Sequence, residues 1–381
     1  MLLLPDTAHD LLFRDLAPLD LYNYSKANRE AYQSITSFRK RAYTLNKYLL
    51  PYFTEEQITQ FRALRKKLGV LISGSTAIQF FEREEYKGSD LDLYVNYSQG
   101  YAVKTFLLKA GYHFWPRSTQ EQTFEANADR VTRMVHPRVP PPDSLYADLA
   151  IAEVFDFYNA ADKKIQLIAS KYSPVDAILQ FHSTCVMNFI THSHAYSLYA
   201  RATFAERRSV PSRANGPREV KAREKYNDRG WKTIKVSCDD PATEFHDILR
   251  RVGDKYCWVI PLDHPSDNQG HTEDNDLVGI HTWKMDPFDY YGGPLMTYGF
   301  YPHLNGMYCV VEEALSTVIS KTPLLLEYGS ITYTDAPSWH YDLLRLVKNM
   351  FDEGPVPPKN IGKSEDDQAE LGVSFQDIKL K

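Results

Sequence analysis

Two carboxylates two positions apart, Asp90 and Asp92, are the residues of this chain best placed to do chemistry. They lie in Gly88-Ser89-Asp90-Leu91-Asp92-Leu93-Tyr94-Val95, a run whose other late members are apolar or aromatic. On a strand, residues i and i+2 project from one face, so both side chains aim at one point. Like charges that close repel unless something positive lies between them, and hard divalent cations prefer oxygen ligands. Mg2+, or Mn2+ in its place, with a phosphate-bearing ligand is the occupant this pattern predicts. A solvated aspartate pair at a strand end is the plainer reading, and a lysine filling the gap would remove the case for an enzyme.

Upstream residues supply a phosphate side. Val70, Leu71 and Ile72 read as a short buried strand, and Gly74 then permits a sharp turn. Thr76 and Gln79 have capping-box spacing, which predicts a helix from Thr76 through Ile78, Phe80 and Phe81. Amides at that helix start, over Gly74, Ser75 and Thr76, together with the Ser75 hydroxyl, are suited to phosphate oxygens.

Strand, Gly-Ser turn, helix, then a strand carrying Asp-x-Asp resembles the signature of the nucleotidyltransferase superfamily, typified by DNA polymerase beta. The resemblance covers residues 55 to 200. It implies that Gly74 and Ser75 hold the triphosphate of an NTP, that Asp90 and Asp92 hold metal, and that a nucleoside monophosphate passes to a hydroxyl acceptor. Members usually carry a further acidic residue on a later strand. The counterpart here is the hairpin Val154-Phe-Asp156-Phe-Tyr158, a turn, and Lys164-Ile-Gln166-Leu-Ile168, in which Gln166 stands where Asp or Glu is expected. An amide cannot accept a proton as a general base at neutral pH. If the turn pairs Tyr158 with Lys164, Asp156 lies across from Gln166 and can supply the missing carboxylate. The alternative is that Asp156 is an edge residue and Gln166 marks weakened or lost catalysis.

The N-terminal residues have a second rhythm. Leu4-Pro5-Asp6, then Leu11, Leu12, Phe13, Leu16, Pro18, Asp20-Leu21 and Asn28-Arg29, predict short helices broken at Pro18. This order resembles an F-box, the helical module that docks on the Skp-type adaptor of cullin-based ubiquitin ligases. Ala8, His9 and Asp10 replace more apolar residues of that family, and no Trp follows Arg29. If an adaptor is the partner, Leu12, Phe13 and Leu16 should be partly exposed in the isolated chain. Two helices that merely pack on the next domain would look the same in sequence. A non-catalytic ubiquitin-ligase substrate receptor with a degenerate nucleotidyltransferase domain is therefore the alternative function.

The whole chain bounds these readings. Its 381 residues suffice for two or three domains, and a net charge of −5 gives no global field that recruits nucleic acid. No apolar run approaches membrane-spanning length, and Met1-Leu-Leu-Leu4 stops at Pro5-Asp6 without a basic leader. Four scattered cysteines lack Cys-x-x-Cys spacing and fit a reducing compartment, so an intracellular protein, cytoplasmic or nuclear, is expected. His182, Cys185, His192 and His194 lack the second ligand pair of a zinc site and read as surface histidines on a helix over Val175 to Ile190.

Residues 201 to 235 hold eleven Lys/Arg against four Asp/Glu. They read as a linker whose charges complement the acidic stretch that follows, a nucleic-acid contact being the less favoured reading. The expected fold class is α+β: a nucleotidyltransferase-like mixed sheet flanked by helices (51–205), after a helical F-box-like arm (1–50) and before a smaller mixed α/β module (206–350). A flexible tail (351–381) with Pro-x-Pro-Pro and Ser-Glu-Asp-Asp closes the chain.

Overall fold

The computed structural model describes residues 6–135, 150–211, 216–236, 244–245, 248–262, 277–286, 295–298 and 308–311. The expected tail at 351–381 lies outside these residues.

Three helices form the arm: α1 (Asp6–Arg14), α2 (Pro18–Ser25) and α3 (Arg29–Ala42). Pro18 opens α2 and the Asn28 side chain caps α3 by accepting from the Ala31 amide. Phe13, Leu21, Ile35 and Phe38 make a small core of their own, with Leu16 at its margin. Leu11 and Leu12 are 68% and 58% exposed, whereas Phe13 is only 3% exposed. The exposure expected of an adaptor-binding Leu12–Phe13–Leu16 face thus holds for Leu12 and, in part, for Leu16, whereas Phe13 is turned inward onto its own helices. Arg83 joins arm and sheet by donating to the Phe13 and Leu16 carbonyls at 3.2 and 2.6 Å.

Next come α4 (Asn46–Leu49) and α5 (Glu55–Leu68). Thr54 and Gln57 form the reciprocal capping box that their spacing predicts, and Gly69 ends α5 in the left-handed region. Then follow β1 (Leu71–Ser73), α6 (Gly74–Glu82), β2 (Leu91–Asn96), α7 (Gly100–Lys109), β3 (His113–Trp115) and α8 (Phe124–Val135). The hairpin β4 (Ile151–Tyr158) and β5 (Lys164–Ser170) precedes α9 (Pro174–Leu179), β6 (Asn188–Ile190) and β7 (His194–Ser197). The helix expected over Val175 to Ile190 stops at Leu179. Asn188-Phe-Ile190 pairs with both β1 and β7 instead, so sheet pairing of an aromatic and a β-branched residue overrides the apolar spacing.

The remaining described elements are β8 (Arg208–Ser209), α10 (Pro217–Asp228), β9 (Lys232–Thr233), β10 (Arg250–Arg251), β11 (Trp258–Pro261), β12 (Thr282–Asp286) and β13 (Leu295–Thr297). Eight strands share one mixed sheet in the order β11-β7-β6-β1-β2-β5-β4-β3, with β2 and β5 parallel and the other neighbours antiparallel. This sheet crosses the boundary expected at 205 and 206, because β11 is its edge strand.

Strand alternation decides what each face holds. Ile72, Leu93, Leu167 and Phe155 point to one side, where Phe61, Phe106 and Leu107 of α5 and α7 cover them. Leu71, Tyr94, Ile168 and Val154 point to the other, against Val175, Ile178 and Leu179 of α9. Buried Arg65 on α5 donates to the carbonyls of Ile190, at 2.9 Å, and Thr191, fastening that helix to the end of β6. Among the described residues no helix is long and apolar enough to cross a membrane.

Candidate functional site

One register row crosses five strands and is polar on the first four. Ser73 is the register partner of Asp92, Asp92 of Gln166, Gln166 of Asp156, and Asp156 of Trp115. Partners in register share a face. Two residues along each of the first four strands, the same face carries Leu71, Tyr94, Ile168 and Val154, all in the α9-side core. The polar row therefore begins where the apolar cover ends. Tyr158 pairs with Lys164 as the hairpin reading required, and Asp156 faces Gln166.

Gly74 brings the turn onto this row. It has φ +65°, and a Cβ placed on it would stand 2.1 Å from Asp92 Oδ2. Both the backbone conformation and the close approach require a residue without a side chain. Ser73 is the residue before the helix, its hydroxyl donating to the Asn188 carbonyl rather than capping α6. The helix starts at Gly74 and the expected Thr76–Gln79 capping box does not form. Gln79 Oε1 accepts from the Tyr86 amide instead, and Thr76 Oγ1 lies 3.5 Å from the Asp90 carbonyl. The first-turn amides of α6, over Gly74, Ser75 and Thr76, thus have no side-chain cap. Ser75 is half-buried, and its hydroxyl has no partner among the described residues.

Asp92 is half-buried, and its Oδ1 is shielded from solvent with no hydrogen-bond partner among the described residues. Burial first, and the neighbouring Asp90 charge second, push its carboxyl up to about 7. An oxygen in that condition is poised to exchange its proton for a cation. Asp90 is engaged differently: Lys164 Nζ lies 3.2 Å from Asp90 Oδ2 and 3.6 Å from Asp156 Oδ1. A lysine therefore does stand between two of the three carboxylates, though not on Asp92.

Asp156 is fully occupied. Arg117 grips it with two parallel hydrogen bonds of 2.9 Å, and Gln166 Nε2 donates to Oδ1 at 2.7 Å. Burial on its own would raise its carboxyl, but the Arg117 and Gln166 hydrogen bonds outweigh that and hold it below the usual carboxylate range. In this arrangement Asp156 is a weak base at neutral pH. Among the described residues no three His, Cys, Asp or Glu side chains converge as a metal-binding group. Two carboxylates and one orphaned oxygen are what the site offers to a divalent cation.

Sequence reasoning missed Arg117 and Lys164. Lys164 was reachable, because it lies two before Gln166 on the same strand and so shares its face. Arg117 follows β3 in a loop, and no local pattern marks it. Part of the basic stretch is also folded onto this region: Tyr226 of α10 is buried with Ile78 of α6, and the Arg229 guanidinium lies 3.9 Å over the Tyr86 ring. Arg207 and Arg208 pair with Glu82 and Glu206, rather than with the later acidic stretch. His182 is partly buried against Tyr226, burial pushing its imidazole down to about 4, and among the described residues it joins no metal-binding group.

Compared with protein-family models, with curated proteins and with solved structures, the chain gives no match.

Proposed function

We propose that this chain binds a nucleoside triphosphate with one divalent cation at the Gly74–Asp92 contact, in the manner of the nucleotidyltransferases its motif order resembles. The observation that carries the reading is the Asp92 carboxylate laid against Gly74, with one oxygen sealed away and unpartnered beside an uncapped helix end. Asp90 and Asp92 would hold Mg2+ or Mn2+, which when bound neutralises phosphate charge and polarises the phosphorus centre. The α6 amides at Gly74, Ser75 and Thr76, with the Ser75 hydroxyl, would take phosphate oxygens. Lys164 balances Asp90 until the ligand arrives, and its ammonium is then free to pair with phosphate instead.

Transfer of a nucleoside monophosphate to a hydroxyl acceptor asks more of the site. Gln166 cannot take a proton, and Asp156 can do so only after Arg117 lets go. Nucleotide binding is thus the first claim and turnover the second. Thermal unfolding with each of the four NTPs, in Mg2+ and in EDTA, tests the first. Incorporation of labelled NTP tests the second. A shift without incorporation leaves a nucleotide-binding, non-catalytic domain.

Exposed Leu11 and Leu12 favour the F-box-like reading of the arm alongside either outcome. Co-purification with a Skp-type adaptor, abolished by Leu11→Asp/Leu12→Asp, is the expected result. Recovery of no adaptor by the wild-type chain removes that reading.

A further inference from the structure

The edge of the sheet at β3 is aromatic and shares a face with the carboxylates. Trp115 ends the register row that begins at Ser73, and it is 67% exposed. A second row runs beside the first: Lys164 pairs with Tyr158 and Tyr158 with His113, while Lys164 Nζ reaches Asp90 Oδ2 at 3.2 Å. Residues two apart on a strand share a face, so His113, Trp115 and Tyr158 stand on the side that holds Asp90 and Asp92. Contact along this strip is continuous. Lys164 Nζ lies 6.0 Å from the centre of the Tyr158 ring, and the Tyr158 and Trp115 rings meet edge to face at 6.4 Å.

An indole left in water is out of its usual place, since tryptophan is highly buried on average. The other described tryptophans, Trp231, Trp258 and Trp283, are all buried. The direction of a bound nucleotide gives Trp115 a use. Phosphates at the α6 start lie beside β1, and a cation at Asp90 and Asp92 lies on β2. Leu71, Tyr94, Ile168 and Val154 close the way along the strands toward α9, so the nucleoside runs across β5 and β4 toward β3. Strands stand about 4.8 Å apart, which puts Tyr158 about 10 Å from Asp90 and Trp115 about 14 Å from Asp92. An extended ribose and base, met by two long aromatic side chains, cover that gap.

We infer that Trp115, with Tyr158 set edge to face beside it, is the stacking platform for the nucleobase of the bound nucleotide. This rests on the nucleotide reading above and supplies the end of the ligand that the carboxylates and the α6 amides do not touch. Every base presents a π face, so stacking on an exposed indole holds it without hydrogen-bond readout.

Titration calorimetry of the full chain in Mg2+, with each NTP and with inorganic tripolyphosphate, tests the inference on wild type, Trp115→Ala and Trp115→Phe. Tripolyphosphate carries the phosphates without a base. Trp115→Ala should weaken NTP binding about fivefold or more and leave tripolyphosphate binding unchanged, and Trp115→Phe should recover part of the lost affinity. The NTP should also quench tryptophan emission in wild type and not in Trp115→Phe. Two results overturn the inference: Trp115→Ala binds NTP as wild type does, or it weakens NTP and tripolyphosphate alike. The nucleotide reading survives both. If no NTP binds wild type, that reading fails and the platform fails with it.

Discussion

The Asp92 carboxylate occupies the space that a side chain at position 74 would need. A Cβ there would meet Oδ2 at 2.1 Å, on a backbone already at φ +65°. Gly74→Ala is therefore strained twice, and should lower unfolding free energy by about 2–4 kcal/mol. Removing the clash with Asp92→Ala in the same chain should recover the part that is not backbone strain. Urea unfolding of the two single variants and the double variant measures this coupling. Strict additivity would mean that the two residues are not in contact.

Asp92 also sets a pH dependence. Its carboxyl is raised to about 7 in the folded chain, against an ordinary value of 3.8. A raised acid contributes stability that is full below the ordinary value and is lost as pH climbs through the folded one. Asp92→Asn should then be close to wild type at pH 4 and more stable by about 1–2 kcal/mol at pH 8. Cation binding runs the opposite way, since it needs the ionised form, so Mn2+ affinity should rise about tenfold between pH 6 and pH 8. Equal Mn2+ affinity at both values would show that Asp92 is not a ligand.

Arg117 and Asp156 form a latch with a measurable strength. Arg117→Met leaves a buried carboxylate with only Gln166 and Lys164, and should cost about 1–3 kcal/mol at pH 7. Asp156 is held below the ordinary range, so the pair's contribution is present above the ordinary carboxylate value and fades as pH falls through the lower, folded one. Variant and wild type should converge in acid. If turnover exists and awaits release of Asp156, the same variant should raise NTP incorporation several-fold. Unaltered incorporation with intact nucleotide binding would assign the latch to structure alone.

Arg65 offers a test of the scaffold that leaves the site untouched. It is wholly buried and bonds the carbonyls at the end of β6. Arg65→Met should destabilise the chain by about 2–4 kcal/mol through the acceptors it abandons. A loss under about 0.5 kcal/mol would mean that water replaces it without penalty.

Sequence patterning reached some of this architecture and stopped at identifiable places. The period-two alternation through Leu91 to Val95 and the Tyr158–Lys164 hairpin were legible, and together they align Asp92, Gln166 and Asp156. The Thr54–Gln57 box was legible for the same reason, since both partners are local. Thr76 and Gln79 share that spacing, yet Gly74 starts the helix earlier and Tyr86 claims the glutamine, a competition only tertiary structure reveals. Asn188-Phe-Ile190 read as helix until its neighbours β1 and β7 were in place. Arg117 reaches Asp156 over 39 residues of chain from a loop, where no periodicity operates.

The central claim is that Asp90 and Asp92 hold a cation-bound nucleotide tail against the Gly74–Ser75 turn. Titration calorimetry of the four NTPs with Mg2+ into wild type and into Asp90→Asn/Asp92→Asn tests it most directly. The account predicts binding of at least one NTP that requires the divalent cation and weakens tenfold or more in the double variant. Absence of binding by every NTP, or equal affinity in the two proteins, would contradict it.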